Sequence, residues 1–413
     1  MDFGDTPDEA AFRAECRAWL DANALRRAAD HHGGILDLLG LEGTSNEAIG
    51  EARQWQARKA DARWAGITWP VEFGGRGGTP MQQVIFGQEE ARFETHGHLF
   101  AVGIGMGGPT LLVHGTEDQQ RRWLPPLLRG EEIWCQLFSE PGAGSDLAMV
   151  SSRAVLDGDD FVVTGQKVWS SGAHYSRWGM FLARTDPDAP KNRGITWMLV
   201  DLESPGVTVR PLRQMTGGSH FNEVFLDDVR VPAANVVGDI NDGWRVANTT
   251  LLSERASIGD MLGGEDPSPA LIALARRHHV GDAPASDDAR IRQELAGCHT
   301  DAAILHYIGL RVLTAISRGG LPGPEATVLK LAMARQLARA ANLGLRLLGP
   351  AGISSDPSWQ STLLMAPALR IGGGTDEILK NVIGEQVLGL PREPSVDRGV
   401  PFRELAQRTA AAR

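Results

Sequence analysis

Leu137-Phe138-Ser139-Glu140-Pro141-Gly142-Ala143-Gly144-Ser145-Asp146 and, after a short hairpin, Lys167-Val168-Trp169-Ser170-Ser171-Gly172 are the two stretches on which the reading of this chain turns. The first holds too many Gly, Ser and Pro for helix or central strand. It reads as a loop shaped by glycine, with hydroxyls and backbone N–H groups on display. The second ends a strand, with a Trp beside two hydroxyls. Two such loops brought close by a hairpin suit a large planar polar ligand. Trp169 would stack on it, and the hydroxyls and amides would read its edge.

Outward from these stretches the texture of the chain changes twice. Residues 1–130 alternate helical segments with Gly/Pro loops. Thr6-Pro7-Asp8-Glu9 is a capping box with Pro in the first helical position, and Phe12, Cys16, Trp19 and Leu20 then fall on one helical face. Residues 51–65, 81–93, 109–114 and 117–124 read as further helices. Residues 131–240 switch period. Val155, Phe161, Val162 and Val163 flank the hairpin signal Asp157-Gly158, and short apolar runs follow at 180–183, 195–200, 207–209 and 224–226. This predicts a small antiparallel β-domain, a barrel or sandwich. Residues 241–413 return to helix, at 244–261, 271–279, 288–318, 324–348 and 376–388, spaced as in an antiparallel bundle. Residues 263–269 and 281–286 read as exposed loops, and the charged tail after Pro391 as frayed. The expected class is therefore α+β, with a helical domain, a β-domain and a helical bundle in chain order.

The bulk numbers bound the function. The 413 residues suffice for two or three packed units, and 42% hydrophobic and 22% charged residues are ordinary for a globular protein. A net charge of −10 argues against nucleic acid or an anionic membrane as the main partner, while leaving room for an anionic small ligand at a local positive patch. Cys16, Cys135 and Cys298 are scattered without paired spacing, so neither a disulfide framework nor a zinc site is expected. Neighbouring histidines such as His278-His279 would point apart on a helix, and no metal is expected there. With no signal-peptide pattern and no apolar run of roughly 18 residues, a cytoplasmic location is expected.

The domain order, with the Ser-Glu-Pro-Gly-Ala-Gly-Ser-Asp loop opening the β-domain, resembles the acyl-CoA dehydrogenase family over nearly the whole chain. Further matching stretches, in order, are His114-Gly115-Thr116-Glu117, Lys167 to Gly172, Phe225-Leu226-Asp227-Asp228-Val229-Arg230-Val231-Pro232, Gly374-Thr375 and Asn381-Val382-Ile383-Gly384-Glu385. The details look like members from actinobacterial lipid and sterol catabolism. The resemblance implies FAD as cofactor, an acyl-CoA oxidised at Cα–Cβ to a trans-2-enoyl-CoA, and an electron-transfer flavoprotein as acceptor. It also implies a homo-oligomer, dimer or tetramer, with a hetero-oligomer as the other possibility.

By matching position, Phe138 and Ser139 would meet the flavin ring, with Ser139 bonded to its pyrimidine end. Trp169 would lie against the ring with Ser170 beside it, and Ser171 would reach the N5 region. Ser145 would contact CoA, and Thr375 and Glu377 would lie around the FAD of the same or an adjoining subunit. The plainer alternative is that the three hydroxyls close loop backbone and Trp169 is core packing.

The base is the departure. Many family members carry the catalytic glutamate directly before the Gly-Thr of the last helix; here that position is Gly373, which has no side chain. A minority place the base on the helix opening the bundle, and Glu254 fills that position, followed by the family's arginine, Arg255. Gly373 would keep its N–H as a donor to the thioester oxygen, Glu254 would take the α-proton, and Arg255 would bind CoA. The alternative for Glu254 and Arg255 is an ordinary helix-surface charge. The three glycines Gly372-Gly373-Gly374 remove bulk, which suits branched or ring-bearing acyl groups, and Gln136, Leu137 and Met106 are candidates for the tunnel wall. The family's Arg-x-x-Phe-Gly becomes Arg277-His278-His279-Val280-Gly281, with Arg277 kept, and a common Gln is replaced by Arg346. These changes leave two other readings open: a non-catalytic subunit of a heteromeric dehydrogenase, and a flavin monooxygenase or oxidase on the same fold.

Overall fold

The computed structural model describes residues 4–27, 45–95, 97–262, 266–317, 325–354, 357–395 and 397–411. They form two compact units, each assembled from separated parts of the chain. One comprises the described residues of Met1–Glu42, Thr79–Thr95 and Arg255–Pro391; the other those of Gly43–Gly78, His96–Glu254 and Arg392–Arg413.

The helices begin where the sequence places their caps. α1 (Pro7–Asn23) starts at a complete Thr6/Glu9 capping box and buries Phe12, Cys16 and Leu20. α2 (Asn46–Asp61) is capped by Ser45, and α3 (Pro80–Glu90) by a second box from Thr79 and Gln82. α4 (Gly108–His114) is entered through a π-helical turn, Gly103–Gly107, and α5 (Glu117–Leu128) is capped by Thr116 and Gln119. α1 packs on α3 in the first unit, where the buried Glu89 carboxylate receives Arg13 at 3.2 Å and Arg17 at 2.9 Å.

The second unit holds a seven-stranded sheet: β1 (Trp134–Leu137), β2 (Arg153–Asp157), β3 (Asp160–Ser171), β4 (Trp178–Arg184), β5 (Ile195–Asp201), β6 (Val207–Pro211) and β7 (Phe221–Pro232). The order is β1-β4-β2-β3-β7-β6, with β5 on β4. Pairing is antiparallel except where β1 lies parallel to β4 and where a one-residue bridge, Arg153↔Arg184, joins β2 to β4. β4 and β5 are apolar and buried nearly throughout, as strands covered on both faces must be.

α6 (Gly243–Leu262) follows the sheet, and Glu254 is its last residue in the second unit. Further helices of the first unit are α7 (Ser268–Arg277), α8 (Ala289–Ser317), α9 (Glu325–Leu348), α10 (Pro357–Ile371) and α11 (Asp376–Val382). α9 packs against α7, α8, α10 and α11. Of the expected loop at 263–269, residues 263–265 lie outside the described residues; the loop expected at 281–286 contains a small antiparallel pairing of His279 with Pro284 and of Val280 with Ala283.

The tail is not frayed. After Pro391 the chain joins the second unit and ends in α12 (Phe402–Ala411). Phe402 is buried with the Arg184 guanidinium 4.1 Å from its ring centroid, Phe402 N–H donates to the Ala189 carbonyl, and Pro401 bridges Pro190. A charged composition hid two apolar anchors, Phe402 and Leu405, set one helical face apart.

Crowding makes the glycines unequal. A Cβ on Gly75 would run into the Trp69 carbonyl, whereas one on Gly50, inside α2, would meet nothing within 4 Å. Gly75→Ala should destabilise the protein by about 1–3 kcal/mol, since backbone cannot step aside, while Gly50→Ala should stabilise it by about 0.5–1 kcal/mol through helix propensity. Denaturant unfolding of the two variants beside wild type checks both signs.

Candidate functional site

β1 delivers Leu137 and Phe138 into the core and brings Ser139 to the surface, half-buried. The chain then turns through Pro141 and Gly142, closed by reciprocal Glu140 and Ala143 backbone bonds of 3.0 Å. Neither Gly142 nor Gly144 has a positive φ, and a Cβ on either would meet nothing within 4 Å. The loop therefore does not need glycine for its own backbone, contrary to the expectation from sequence. The glycines leave this stretch of the loop surface bare of side chains.

The second stretch comes alongside through two direct links. Val168 N–H donates to the Ser139 carbonyl at 2.9 Å, and Lys167 Nζ donates to the Phe138 carbonyl at 3.2 Å. Between Lys167, opposite Val224, and Ser170, opposite Asn222, β3 carries one residue more than β7. This bulge puts Trp169 at φ +63°, a left-handed conformation rare for a bulky residue, and leaves it 62% exposed with only an edge contact to Phe221. Trp169 is thus not core packing: the strand spends strain to hold its ring outside.

The hydroxyls are equally telling. Among the described residues, those of Ser139, Ser145 and Ser171 make no hydrogen bond to loop backbone or to any other group, and Ser170 Oγ is buried without a partner. The alternative in which they close loop backbone does not hold. Phe138, Ser139, Trp169, Ser170 and Ser171 are brought together with an exposed ring, donor hydroxyls and bare glycines, which fits a large planar polar group such as a flavin. Next to them, burial and the neighbouring His174 and His98 hold His220 at about 4, hence neutral at pH 7.

Glu254 joins this unit through α6. Val246 and Ala247 enter the core, Thr250 Oγ1 lies 2.9 Å from Thr110 Oγ1, and Thr249 Oγ1 lies 2.7 Å from His114 Nε2. One turn further on, Glu254 is half-buried and accepts from Gln136 Nε2 at 3.4 Å. Gln136 is two residues before Phe138, so the carboxylate stands beside the strand that leads into the serine loop. His114 and Thr249, which seat this helix, carried no signal of that role in the sequence. The side chain of Arg255 lies outside the described part.

The other matched positions belong to the first unit. Gly373 and Gly374 turn the chain at φ +67° and +96°. Lys330 Nζ holds the Gly374 carbonyl at 2.6 Å, and the Thr375 hydroxyl caps α11 by accepting from Ile378 N–H at 3.2 Å. Glu377 is exposed at the rim of a cleft of about 350 Å³ lined also by Asn342, Pro367, Arg370 and Asp376. Arg277 is exposed at the end of α7, and Arg346 pairs with Glu294 of α8.

The domain descriptions "Acyl-CoA dehydrogenase, N-terminal domain", "middle domain" and "C-terminal domain" match residues 6–131, 135–229 and 241–388, and the chain belongs to the acyl-CoA dehydrogenase family. Acyl-CoA dehydrogenase IpdE1 of Mycobacterium tuberculosis is 40% identical over 398 residues, covering 94% of this chain and 99% of its own. Acyl-CoA dehydrogenase FadE34 of the same organism is 40% identical over 337 residues, 82% of this chain and 46% of its own. Among solved structures, the Tcur3481-Tcur3483 steroid ACAD superposes with a TM-score of 0.78 at 27% identity, covering 95% of this chain and 100% of that one. The ChsE4-ChsE5 complex of Mycobacterium tuberculosis gives 0.73 at 28% identity, with coverage of 95% and 100%.

Burial alone would push the Glu140 carboxyl up; the Lys167 ammonium, with hydrogen bonds from Lys167, Ser152 and Ser151, outweighs it and holds the group at about 2 against an ordinary 4.5. A depressed carboxyl contributes stability that is complete above its unfolded value and fades as pH falls toward the folded one. The stability gap between wild type and Glu140→Gln should therefore be full at pH 7, begin to close below about pH 4.5, and lose more than half its size by pH 3. Urea unfolding of both proteins across that range measures it.

Proposed function

We propose that this chain is an FAD-dependent acyl-CoA dehydrogenase that converts an acyl-CoA to its trans-2-enoyl thioester, with Glu254 as the base. The observation that carries the reading is the pairing of Glu254, held beside Gln136, with the adjoining array of Trp169 and unpartnered serine hydroxyls. Bound FAD supplies the acceptor for the β-hydride as the α-proton leaves. Everything else falls to this chain. Ser139 and Ser171 hold the edge of the flavin, Trp169 covers its face, and Phe138 and Ser170 back them. Glu254 Oε takes the α-proton, and Gln136 orients the carboxylate. Gly373 has no side chain to compete for base duty, and its N–H is left for the thioester oxygen. Following the family's pattern, Ser145 and Arg255 bind the CoA portion, and Thr375, Glu377 and Arg277 meet an FAD of the same or an adjoining subunit. The electron acceptor is an electron-transfer flavoprotein.

The three glycines at 372–374 and the likeness to a structure titled a steroid ACAD support a ring-bearing acyl group. In an anaerobic panel of acyl-CoAs, the wild-type flavin should bleach with ring-bearing substrates. Glu254→Gln should keep its flavin but bleach slower by roughly 10²–10⁴-fold or more, the usual weight of a positioned base. Normal bleaching by Glu254→Gln sinks the base, and reaction with straight short chains alone sinks the substrate class.

A second reading is favoured by the likeness to the Tcur3481-Tcur3483 steroid ACAD and the ChsE4-ChsE5 complex, each named for two components: the chain works as one subunit of a heteromer. The chain expressed alone should contain one flavin per polypeptide if it is self-sufficient. A colourless protein that gains flavin only with a second, related chain supports the heteromer. Flavin content and native mass decide between them.

A further inference from the structure

Behind the serine loop lie three charges that the proposed chemistry does not use. The side chains of Glu140 and Arg184 are almost wholly buried and that of Lys167 is completely so. Glu140 accepts from Ser151 N–H and Oγ at 2.7 Å each, Ser152 N–H at 3.0 Å and Lys167 Nζ at 2.7 Å. Lys167 places its other two protons on the Phe138 carbonyl at 3.2 Å and the Leu182 carbonyl at 2.8 Å, so its three donors are all used. Arg184 donates to the Ala148, Val150, Lys191 and Arg193 carbonyls.

A buried ion pair is a poor way to gain stability. Well-packed apolar residues of the same volume serve as well or better, because both charges must be stripped of water. What the pair does supply is direction. Phe138 and Glu140 are tied to Lys167, and the Ser139 carbonyl is tied to Val168, so Ser139 is bracketed on both sides by the strand that carries Trp169 and Ser171. The left-handed Trp169 begins two residues after Lys167, and a strained residue persists only where its surroundings fix it.

We propose that Glu140 and Lys167 are positioning residues for the flavin, a buried ionic brace that sets Ser139 on one stretch in register with Trp169 and Ser171 on the other. The proposal rests on the flavin reading of those three residues.

The test uses flavin affinity and the visible circular dichroism of the bound flavin, measured on the flavin-loaded protein well below its unfolding midpoint. Glu140→Gln and Lys167→Met should each weaken FAD binding by about tenfold or more and alter the flavin dichroism, as expected for loss of one or two well-aligned contacts. Glu89→Gln, which breaks a buried ion pair in the other unit, should cost stability but leave flavin affinity and dichroism unchanged. The double variant Glu140→Gln/Lys167→Met removes both partners of the pair and leaves Arg184 on its backbone carbonyls, so it should regain part of the stability that either single variant loses while keeping the weak binding and altered dichroism. If flavin affinity returns together with stability, or if Glu89→Gln loses flavin equally, the role is merely structural and the proposal is overturned. If the internal variants do not fold, Ser151→Ala, which removes one exposed donor to Glu140, should still weaken binding by about two- to threefold; unchanged binding there overturns it. A wild-type chain that takes up no FAD overturns the flavin reading and this proposal together, whereas normal wild-type binding with unchanged variants overturns the proposal alone.

Discussion

A carboxylate and an ammonium locked together out of water tie the serine loop to the β-sheet. Around Glu140 and Lys167 the chain closes the serine loop, the start of β2 and the middle of β3 into one piece, using backbone carbonyls and N–H groups that would otherwise lie buried and unpaired. Arg184 extends the same logic. Burial pulls its guanidinium down to about 10, and it remains tolerable only because carbonyls surround it and Phe402 lies 4.1 Å from it. On the surface above this interior, Trp169 is held out at φ +63° and the hydroxyls of Ser139, Ser145 and Ser171 are uncommitted.

The helix that carries Glu254 is fixed by a different kind of contact. Two threonine hydroxyls of α6, each met by a group on α4, seat the helix by hydrogen bonds inside an apolar core. Burial, with the nearby Arg245, lowers the basicity of His114, so its ring meets Thr249 as a neutral partner. Arg245 meets the other ring nitrogen of His114 at 3.3 Å, and one turn further along the helix Glu254 lies beside Gln136.

Much of the fold could be read in the sequence because it rests on local rules. The Thr6 and Glu9 cap, the Asp157-Gly158 hairpin and the apolar runs of β4 and β5 all stand where pattern puts them. Features set by distant partners could not be read. β1 looked like the start of a loop because its pairing with β4 is parallel and its partner lies 44 residues away in register, Trp134 against Trp178. α10 was missed because Pro367 interrupts its pattern, yet it forms because its partner is α9. α12 was hidden by its charges. Phe138, Ser139, Trp169, Ser170 and Ser171 could be singled out in the sequence, but not the way the fold displays them: the bulge at Trp169 and the freedom of the hydroxyls exist only once β3 and β7 are in register. Glu254 was singled out by its match to the position a minority of the family uses, and only the fold brings Gln136, a candidate wall residue, within hydrogen-bond reach of it.

The turn at Gly373 has a consequence for how such chains can change. Its φ of +67° is one that only glycine adopts without strain, and Gly374 beside it repeats the demand at +96°. A carboxylate side chain at position 373 would therefore carry backbone strain of about 1–2 kcal/mol. A mutant that gained one would inherit a turn built to reject it, and Lys330 would still be gripping the carbonyl of the next residue. The two turns thus set a conformational toll on any side chain at 373 or 374, of the same kind that the strand bears at Trp169.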